Sequence, residues 1–349
     1  MKPIMRCLFF ALATVGGLQL TNAAGTGLSP TGLRTEYLVN PPGLEDRAPR
    51  LTWRVESGQR GQKQTAYRIL VASTEQKLAR GAGDLWDTGK IASDETVNIA
   101  YAGEPLASRA TCYWKVQVCD KDGEPSAWSA PAHWSMGLLK PDDWQAQWIS
   151  FKDNGPLHTD RRTLFLPPAR HYRKEFSAPK EIKRAMVYAS ALGIYELHLD
   201  GQRVGDEFFE PGWSDYISRA YYRTHDVTAL VKKGPNAIGA IVADGWYAGY
   251  VGYGLLVGYG PNKVGRYFYG KTPALLAQLE LEYADGSREI IGTDTTWQVS
   301  ADGPIREADF IMGESYDARR EDANWCRTDA APGSDQEGSP NDLPDENTP

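Results

Sequence analysis

The chain has 349 residues and a formal net charge of −7, and 41% of its residues are hydrophobic. This composition excludes a disordered chain, a coiled coil and a multi-pass membrane protein, and without a basic stripe nucleic acid is not an expected partner. The 35 glycines, 22 prolines, 11 tryptophans and 18 tyrosines favour short strands and many turns. Proline and glycine cost about 3 and 1 kcal/mol inside a helix, whereas aromatic side chains suit a half-buried sheet.

Residues 1–24 have the pattern of a signal peptide. Lys2 and Arg6 supply positive charge, residues 7–20 are almost wholly apolar, and small residues end the segment at Ala24. The apolar run is too short for a stable membrane anchor, and a buried N-terminal helix is the alternative interpretation. We therefore expect a secreted or periplasmic protein with no membrane span.

Three cysteines follow this segment: Cys112, Cys119 and Cys326. An odd number cannot pair completely within one chain. Seven residue steps of about 3.3 Å separate Cys112 from Cys119 along a predicted strand, whereas the Cα atoms of a disulfide lie about 4.4–6.8 Å apart. We expect small buried thiols, and the spacing does not fit a zinc site.

Residues 25–138 are predicted to form an antiparallel sandwich of the immunoglobulin or fibronectin type. Short runs at 51–55, 67–71 and 112–118 alternate apolar with polar residues, which directs one face of each strand inward. The pattern assigns four tryptophans to the core, with sugar stacking as the alternative role: Trp53, Trp86, Trp114 and Trp128.

Residues 139–327 are predicted to form a second, jelly-roll-like sandwich, so the expected fold class is all-β. Asp200-Gly201 and Asp285-Gly286 are hairpin signals, and a short helix is expected at 228–233. Residues 328–349 hold six acidic residues and four prolines, and are expected to be a disordered tail. The strands of the second sandwich are predicted at 171–176, 185–190, 195–199, 237–243, 275–283 and 288–291.

Two segments, 195–216 and 243–270, exceed what an ordinary sandwich needs. The second contains eight glycines between positions 245 and 270. Glycine lets the backbone approach a ligand closely, flat aromatic rings stack on sugars, and carboxylates accept hydrogen bonds from hydroxyl groups. A long aromatic loop packed on a neighbouring domain is the alternative. The predicted carbohydrate-binding residues are Trp213, Asp244, Trp246, Tyr247 and Tyr250.

A calcium site is predicted at Asp153 and Asn154, because an oxygen-rich loop suits a hard cation. Ca²⁺ is the one cofactor that the sequence suggests. A solvated turn formed by the same two side chains is the alternative.

The second half of the chain carries six sequence blocks in succession: 195–206, 211–216, 224–228, 234–238, 244–247 and 313–319. In sequence and in order, these blocks resemble the N-terminal β-sandwich domain of bacterial α-L-rhamnosidases. The region 34–149 is similar to the fibronectin-type domain that precedes it in that family. The resemblance implies a rhamnose-containing glycan as a partner, and some rhamnosidase sandwiches bind sugar through calcium.

Family members continue into an (α/α)6 barrel that carries the general acid and base, and no residue of this chain matches those two. The resemblance therefore implies a truncated, non-catalytic carbohydrate-binding or accessory module of a glycoside hydrolase, with no catalytic residue of its own. One alternative is an active α-L-rhamnosidase, acting by inverting hydrolysis, formed with a separately encoded catalytic rhamnosidase domain. The other is a structural docking module or a gene remnant.

Overall fold

The computed structural model of the protein describes residues 27–151, 167–251 and 266–328. The predicted signal peptide, the tail and the calcium ligands Asp153 and Asn154 lie outside these residues. Within them, no helix is both long enough and apolar enough to cross a membrane. Nearly all regular structure is antiparallel strand, which confirms the all-β prediction.

The chain divides into two compact units. The boundary is not a single position, because two short segments before residue 112 belong to the second unit. Among the described residues, the first unit comprises 27–39, Ala48–Glu104 and Cys112–Ala132, and the second comprises Asn40–Arg47, Pro105–Thr111, 133–151, 167–251 and 266–328.

The first unit consists of small antiparallel sheets. Strands pair in the order β1-β2-β5 in one sheet, and β4, β3 and β6 pair in this order in the other. Thr74 caps the short helix α1 by accepting a hydrogen bond from the amide of Lys77. The elements are β1 (Leu28–Thr35), β2 (Arg50–Ser57), β3 (Ala66–Ala72), α1 (Glu75–Ala79), β4 (Trp86–Asp87), β5 (Ile99–Ala100) and β6 (Thr111–Cys119).

Alternation along the strands builds the core of the first unit. Trp53 and Trp114 are at most 1% exposed, so their predicted core role is confirmed, whereas Trp86 and Trp128 are half-buried. Cys112, Cys119 and Cys326 are all buried free thiols. The first two lie at opposite ends of β6, as their spacing predicted.

The second unit contains two five-stranded sheets and a hairpin. Strands pair in the order β13-β10-β15-β16 in the first sheet, with β8 also on β15, and in the order β12-β11-β14-β9-β17 in the second. The strands are β7 (Ala132–Ser135), through which the chain enters this unit, β8 (Ile149–Ser150), β9 (Arg170–Ala178), β10 (Ile182–Leu192), β11 (Ile194–Leu199), β12 (Gln202–Arg203), β13 (Arg223–Asp226), β14 (Gly234–Ala243), β15 (Ala274–Tyr283), β16 (Arg288–Gly292), β17 (Gln298–Ser300), β18 (Ile305–Asp309) and β19 (Gly313–Tyr316). The one α-helix described in this unit is α2 (Gly245–Ala248).

The inward faces of the two five-stranded sheets form one apolar cluster. Tyr172 on β9, Val187 on β10, Leu197 on β11 and Leu279 on β15 are fully buried members of it. Because side chains alternate along a strand, the neighbours of these residues point away from the core. The outward face of the sheet that contains β9, β11 and β14 is therefore a surface of its own.

The helix predicted at 228–233 is wrong. Val231 N donates to Val227 O at 3.2 Å, but the segment is a turn and no helix follows. The side chain of Asn236 accepts from Lys232 N at 2.8 Å and donates to Lys232 O at 2.7 Å. This side chain takes the backbone groups that a continuing helix would need, and β14 begins at Gly234 instead.

Candidate ligand-binding cavity

Two rows of outward side chains cross the sheet of the second unit. In the first row, Glu196 on β11 lies opposite Ile241 on β14, Ile241 lies opposite His171 on β9, and His171 lies opposite Ser300 on β17. This row therefore presents a carboxylate, an aliphatic group, an imidazole and a hydroxyl side by side.

The second row lies two residues further along each strand. His198 on β11 is opposite Gly239 on β14, Gly239 is opposite Arg173 on β9, and Arg173 is opposite Gln298 on β17. Arg173 Nη1 donates to Gln298 Oε1 at 3.0 Å. Because Gly239 has no side chain, the row has a notch in its middle.

The C-terminal strap, residues 317–328, crosses this surface and fills the notch. The ring centroid of Trp325 lies 4.8 Å from that of His171 and 5.1 Å from that of His198. The next residue, Cys326, is fully buried, and its Sγ donates to the carbonyl oxygens of His198 and Ala237, each at 3.7 Å. Trp325 and Cys326 thus fasten the strap to the sheet.

A cavity of about 810 Å³ lies between the sheet and the strap. The sheet contributes Glu196, Ile241 and His171 to its lining, and the strap and the preceding hairpin contribute Tyr316 and Trp325. The cavity therefore combines aromatic rings with charged and polar groups.

Two carboxylates that line the cavity, Glu196 and Asp302, have basic partners. Glu196 Oε1 lies 2.8 Å from His198 Nε2, and Glu196 Oε2 lies 3.0 Å from Arg203 Nε. The hydrogen bond with His198 lowers the pKa of Glu196, and the charge of Arg203 adds to this effect. Asp302 forms an ion pair with Arg320 of the strap.

His171 has the most perturbed environment in the cavity. The residue is 8% exposed, and its Nε2 has no hydrogen-bond partner in the described part of the chain. Burial lowers its pKa to about 4, and the nearby charges of His198 and Arg306 act in the same direction. His171 is therefore a neutral imidazole at pH 7.

Most of the predicted carbohydrate-binding residues lie in the interior. Tyr247 is fully buried and Tyr250 is 4% exposed. Asp244 is 2% exposed and pairs with the guanidinium of Arg266, so this carboxylate is engaged within the protein. Burial raises the pKa of Asp244, and the positive charge of Arg266 opposes that rise. Within the described residues these three side chains are therefore buried, whereas the sequence predicted an exposed surface, and their contact with a sugar stays a prediction.

The glycines near Tyr247 have a packing role. A Cβ on Gly270 would lie 2.1 Å from Tyr247 Oη, so the ring of Tyr247 fits only because position 270 is glycine. At the start of α2, Gly245 has a φ of 51°, which glycine adopts without strain. In the described residues, Gly270 therefore makes room for an aromatic ring in the interior.

Two of the predicted residues do reach the surface. Trp213 is 55% exposed, and Trp246 is half-buried. Trp246 stacks on Phe310, with ring centroids 3.8 Å apart and ring planes at 20°. Neither tryptophan lines the cavity described above, so their predicted contact with carbohydrate concerns a different surface.

The sequence prediction missed His171, His198 and Gly239. The histidines were read as scattered single residues, because 27 positions separate them along the chain. A usable signal was present in the outward positions of the alternating runs, where His171 and Arg173 on one strand and Glu196 and His198 on another are all polar. Only the pairing of both strands with β14 shows that these side chains share a surface.

The fold defines the class of protein: two β-structured domains, of which the first is immunoglobulin-like. Residues 30–140 match the model of the Rha78A-like N-terminal immunoglobulin domain. Residues 180–339 match the model of the α-L-rhamnosidase N-terminal domain. The chain thus carries the N-terminal domains of α-L-rhamnosidases, which confirms the resemblance noted in its sequence.

Individual relatives agree with this assignment. The α-L-rhamnosidase of Streptomyces avermitilis is 30% identical, over 92% of this chain and 46% of the relative. The α-L-rhamnosidase of Alteromonas sp. (strain LOR) is 36% identical, over 86% of this chain and 32% of the relative. The chain therefore spans less than half the length of these curated relatives.

Solved structures give the same picture. The Streptomyces avermitilis α-L-rhamnosidase complexed with L-rhamnose has a TM-score of 0.76 at 30% identity, over 86% of this chain and 43% of that chain. The α-L-rhamnosidase from Dictyoglumus thermophilum has a TM-score of 0.75 at 34% identity, over 86% of this chain and 33% of that chain.

Proposed function

We propose that the two domains form a non-catalytic, carbohydrate-binding accessory module of an α-L-rhamnosidase-type glycoside hydrolase. Its ligand is a saccharide unit of a rhamnose-containing glycan, and the cavity between the sheet and the strap binds it. The observation that carries this proposal is the combination in one cavity of the Trp325 and Tyr316 rings with the polar groups of Glu196 and Gln298.

The size and chemistry of the cavity suit a neutral sugar. Its volume of about 810 Å³ lies within the range of small-molecule sites, roughly 300–1,000 Å³. Aromatic rings stack on the apolar faces of a sugar, while paired ionic groups provide both donors and acceptors for hydroxyls. Because Glu196 and Asp302 already have basic partners, a net charge on the ligand is not needed to balance the site.

The same pairing argues for binding rather than hydrolysis in this cavity. A glycosidase general acid must hold its proton near neutral pH, which requires a raised pKa. The pKa of Glu196 is instead lowered by its hydrogen bond with His198. Glu196 is therefore ionised at pH 7 and accepts hydrogen bonds.

We place this function outside the cytoplasm, because residues 1–24 have the sequence pattern of a signal peptide. An exported module would encounter polymeric glycans outside the cytoplasm. Detection of the mature N-terminus by mass spectrometry of exported protein tests this part of the proposal.

Isothermal titration calorimetry against L-rhamnose and a rhamnose-rich polysaccharide, with and without Ca²⁺, tests the binding function. We expect heat of binding in the wild-type protein and a clear loss of affinity in Tyr316→Ala. Tyr221→Ala is the matched control, since Tyr316 and Tyr221 are 52% and 43% exposed and only Tyr316 lines the cavity. Absence of heat at millimolar sugar would remove the proposal, and a dependence on Ca²⁺ would support the calcium site at Asp153 and Asn154.

A second candidate function is the docking of a catalytic rhamnosidase domain. Phe208 and Phe209 are 71% and 56% exposed, and the Phe209 ring continues through Phe310 to Trp246. Exposed aromatic groups of this kind often mark interaction sites. Under this function, we expect the pure protein to release no p-nitrophenol from p-nitrophenyl α-L-rhamnoside. We also expect the double variant Phe208→Ser with Phe209→Ser to associate more weakly with a catalytic domain.

A further inference from the structure

Trp325 is the residue of the strap that packs into the notch of the sheet at Gly239. The indole lies over Gly239, where a Cβ would be only 2.8 Å from Trp325 Cζ3. His198 flanks it from the same row of the sheet and His171 from the adjacent row. Because the strap forms one wall of the cavity, the cavity loses this wall when Trp325 leaves its seat.

The ring of His171 is covered from two sides. Trp325 lies against one part of it, and the backbone at Gly303 covers Nε2, since a Cβ there would lie 2.3 Å from that nitrogen. A charged imidazolium would be held away from water in this position. The neighbours on β14 and β17, Ile241 and Ser300, carry no charge.

The charged groups around His171 come from several elements, and most of them are basic. His198 on β11 and Arg306 on β18 disfavour a positive charge on His171, whereas Asp322 on the strap favours it. Arg173 lies two residues along β9 on the same face, and the hydrogen bond of Glu196 is made to His198. Burial and the basic groups lower the pKa of His171 more than Asp322 raises it.

We propose that protonation of His171 unseats Trp325 and releases the strap, so that the cavity is assembled at neutral pH and opens in acid. The ligand that the cavity releases rests on the function proposed above, but the opening of the strap does not. The module would then hold its glycan at neutral pH and let it go as the medium acidifies.

The direction of the effect follows from proton linkage. The pKa of His171 is about 4 in the closed structure, against an ordinary value of 6.5. The closed state thus binds the proton less well than the open state, so its stability is full above pH 6.5 and declines as the pH falls toward 4. At pH 4.5, this difference in the pKa of His171 lowers the equilibrium constant for closing of the strap roughly tenfold to a hundredfold.

The thiol of Cys326 is a direct probe of this opening. It lies on the strap and is fully buried, whereas Cys112 is fully buried in the first unit and reports unfolding of that unit. The rate of labelling by 4,4′-dithiodipyridine, resolved by peptide mass spectrometry, would be measured for both thiols at pH 7.5 and pH 4.5. Each rate is divided by the rate of the same thiol in the urea-unfolded protein at the same pH, because the thiolate is the reactive form and its fraction falls with pH. This quotient is the relative labelling rate. The variant His171→Phe keeps an aromatic ring that cannot take a proton, and His133→Gln is the control at an exposed histidine of β7.

We expect the relative labelling rate of Cys326 to rise about tenfold or more at pH 4.5, with no matching change at Cys112. His133→Gln should preserve this acceleration and His171→Phe should abolish it. The proposal is overturned if the relative labelling rate of Cys326 is the same at both pH values, if that of Cys112 rises in parallel, or if His171→Phe retains the effect. Because no glycan is present, these outcomes are independent of the calorimetric result at pH 7.5, which concerns the binding function alone.

Discussion

The indole of Trp325 rests directly on the backbone of Gly239. A Cβ at position 239 would lie 2.7 Å from the carbonyl oxygen of Tyr172, 2.8 Å from Trp325 Cζ3 and 3.0 Å from Cys326 Sγ. The first of these atoms belongs to the paired strand β9, so it cannot move away without breaking the sheet. The glycine therefore makes room for the strap rather than for a turn.

Gly239→Ala should consequently displace the strap. Overpacking of a tight site costs about 1–3 kcal/mol, and we expect a loss of unfolding free energy in this range by urea denaturation. Labelling of Cys326 should also become faster at pH 7.5. Gly58→Ala is the control, because a Cβ at Gly58 meets no atom within 4 Å. Equal stability of the two variants would show that the notch is not needed.

Removal of the positive charge from the buried pair of Asp244 and Arg266 should be costly. Both side chains are almost inaccessible, at 1% and 4% exposure, so Arg266→Met leaves a buried carboxylate without its ion-pair partner. We expect a loss of about 3–5 kcal/mol in urea unfolding. The double variant Asp244→Asn with Arg266→Met should be less destabilised, because the charge is removed as well.

The surface pair of Arg319 and Asp317 is the matched control for this prediction. The side chain of Arg319 is 89% exposed, and Arg319→Met should cost no more than about 1 kcal/mol. If Arg266→Met and Arg319→Met are destabilised equally, the buried pair does not stabilise the region around α2.

Asp84 should give the first unit an acid-dependent stability. Partial burial opposes ionisation, but hydrogen bonds from Lys77 and Ser73 lower the pKa of Asp84 to about 2. A carboxylate with a lowered pKa stabilises the fold above its ordinary value of 3.8, and this contribution is lost as the pH falls toward 2. Asp84→Asn should therefore be less stable than wild type at pH 7 and equal to it near pH 2.

The measurement is thermal unfolding of both proteins across this pH range. Asp94→Asn serves as the control for removal of one negative charge from the same unit. A stability difference between Asp84→Asn and wild type that stays constant with pH would contradict the assigned hydrogen bonds.

The alternating strands could be predicted from the sequence because each one carries its own signal. Trp53 and Trp114 lie in runs whose polar and apolar residues alternate, and their burial follows from that local pattern. The separation of Cys112 from Cys119 likewise requires only the length of one strand.

The cavity could not be predicted because it depends on pairing between strands. Glu196 and His171 become neighbours only through Ile241 on the strand between them, and nothing in the sequence near either residue specifies that register. The burial of Tyr247 was not predicted for a different reason. A glycine beside an aromatic ring is consistent with an open ligand surface and with close packing, and Gly270 serves the packing.

Trp213 remains the predicted carbohydrate contact that can be tested most cleanly. Its side chain is 55% exposed, so Trp213→Ala should change the unfolding free energy by no more than about 0.5 kcal/mol. Loss of one stacking ring should weaken glycan binding by about 1 kcal/mol, or roughly fivefold in Kd, as measured by calorimetry with a rhamnose-rich polysaccharide. Ile217→Ala is the control, since this nearby side chain is apolar and 65% exposed. If Trp213→Ala binds as tightly as wild type while Tyr316→Ala does not, the glycan is held by the cavity without help from Trp213.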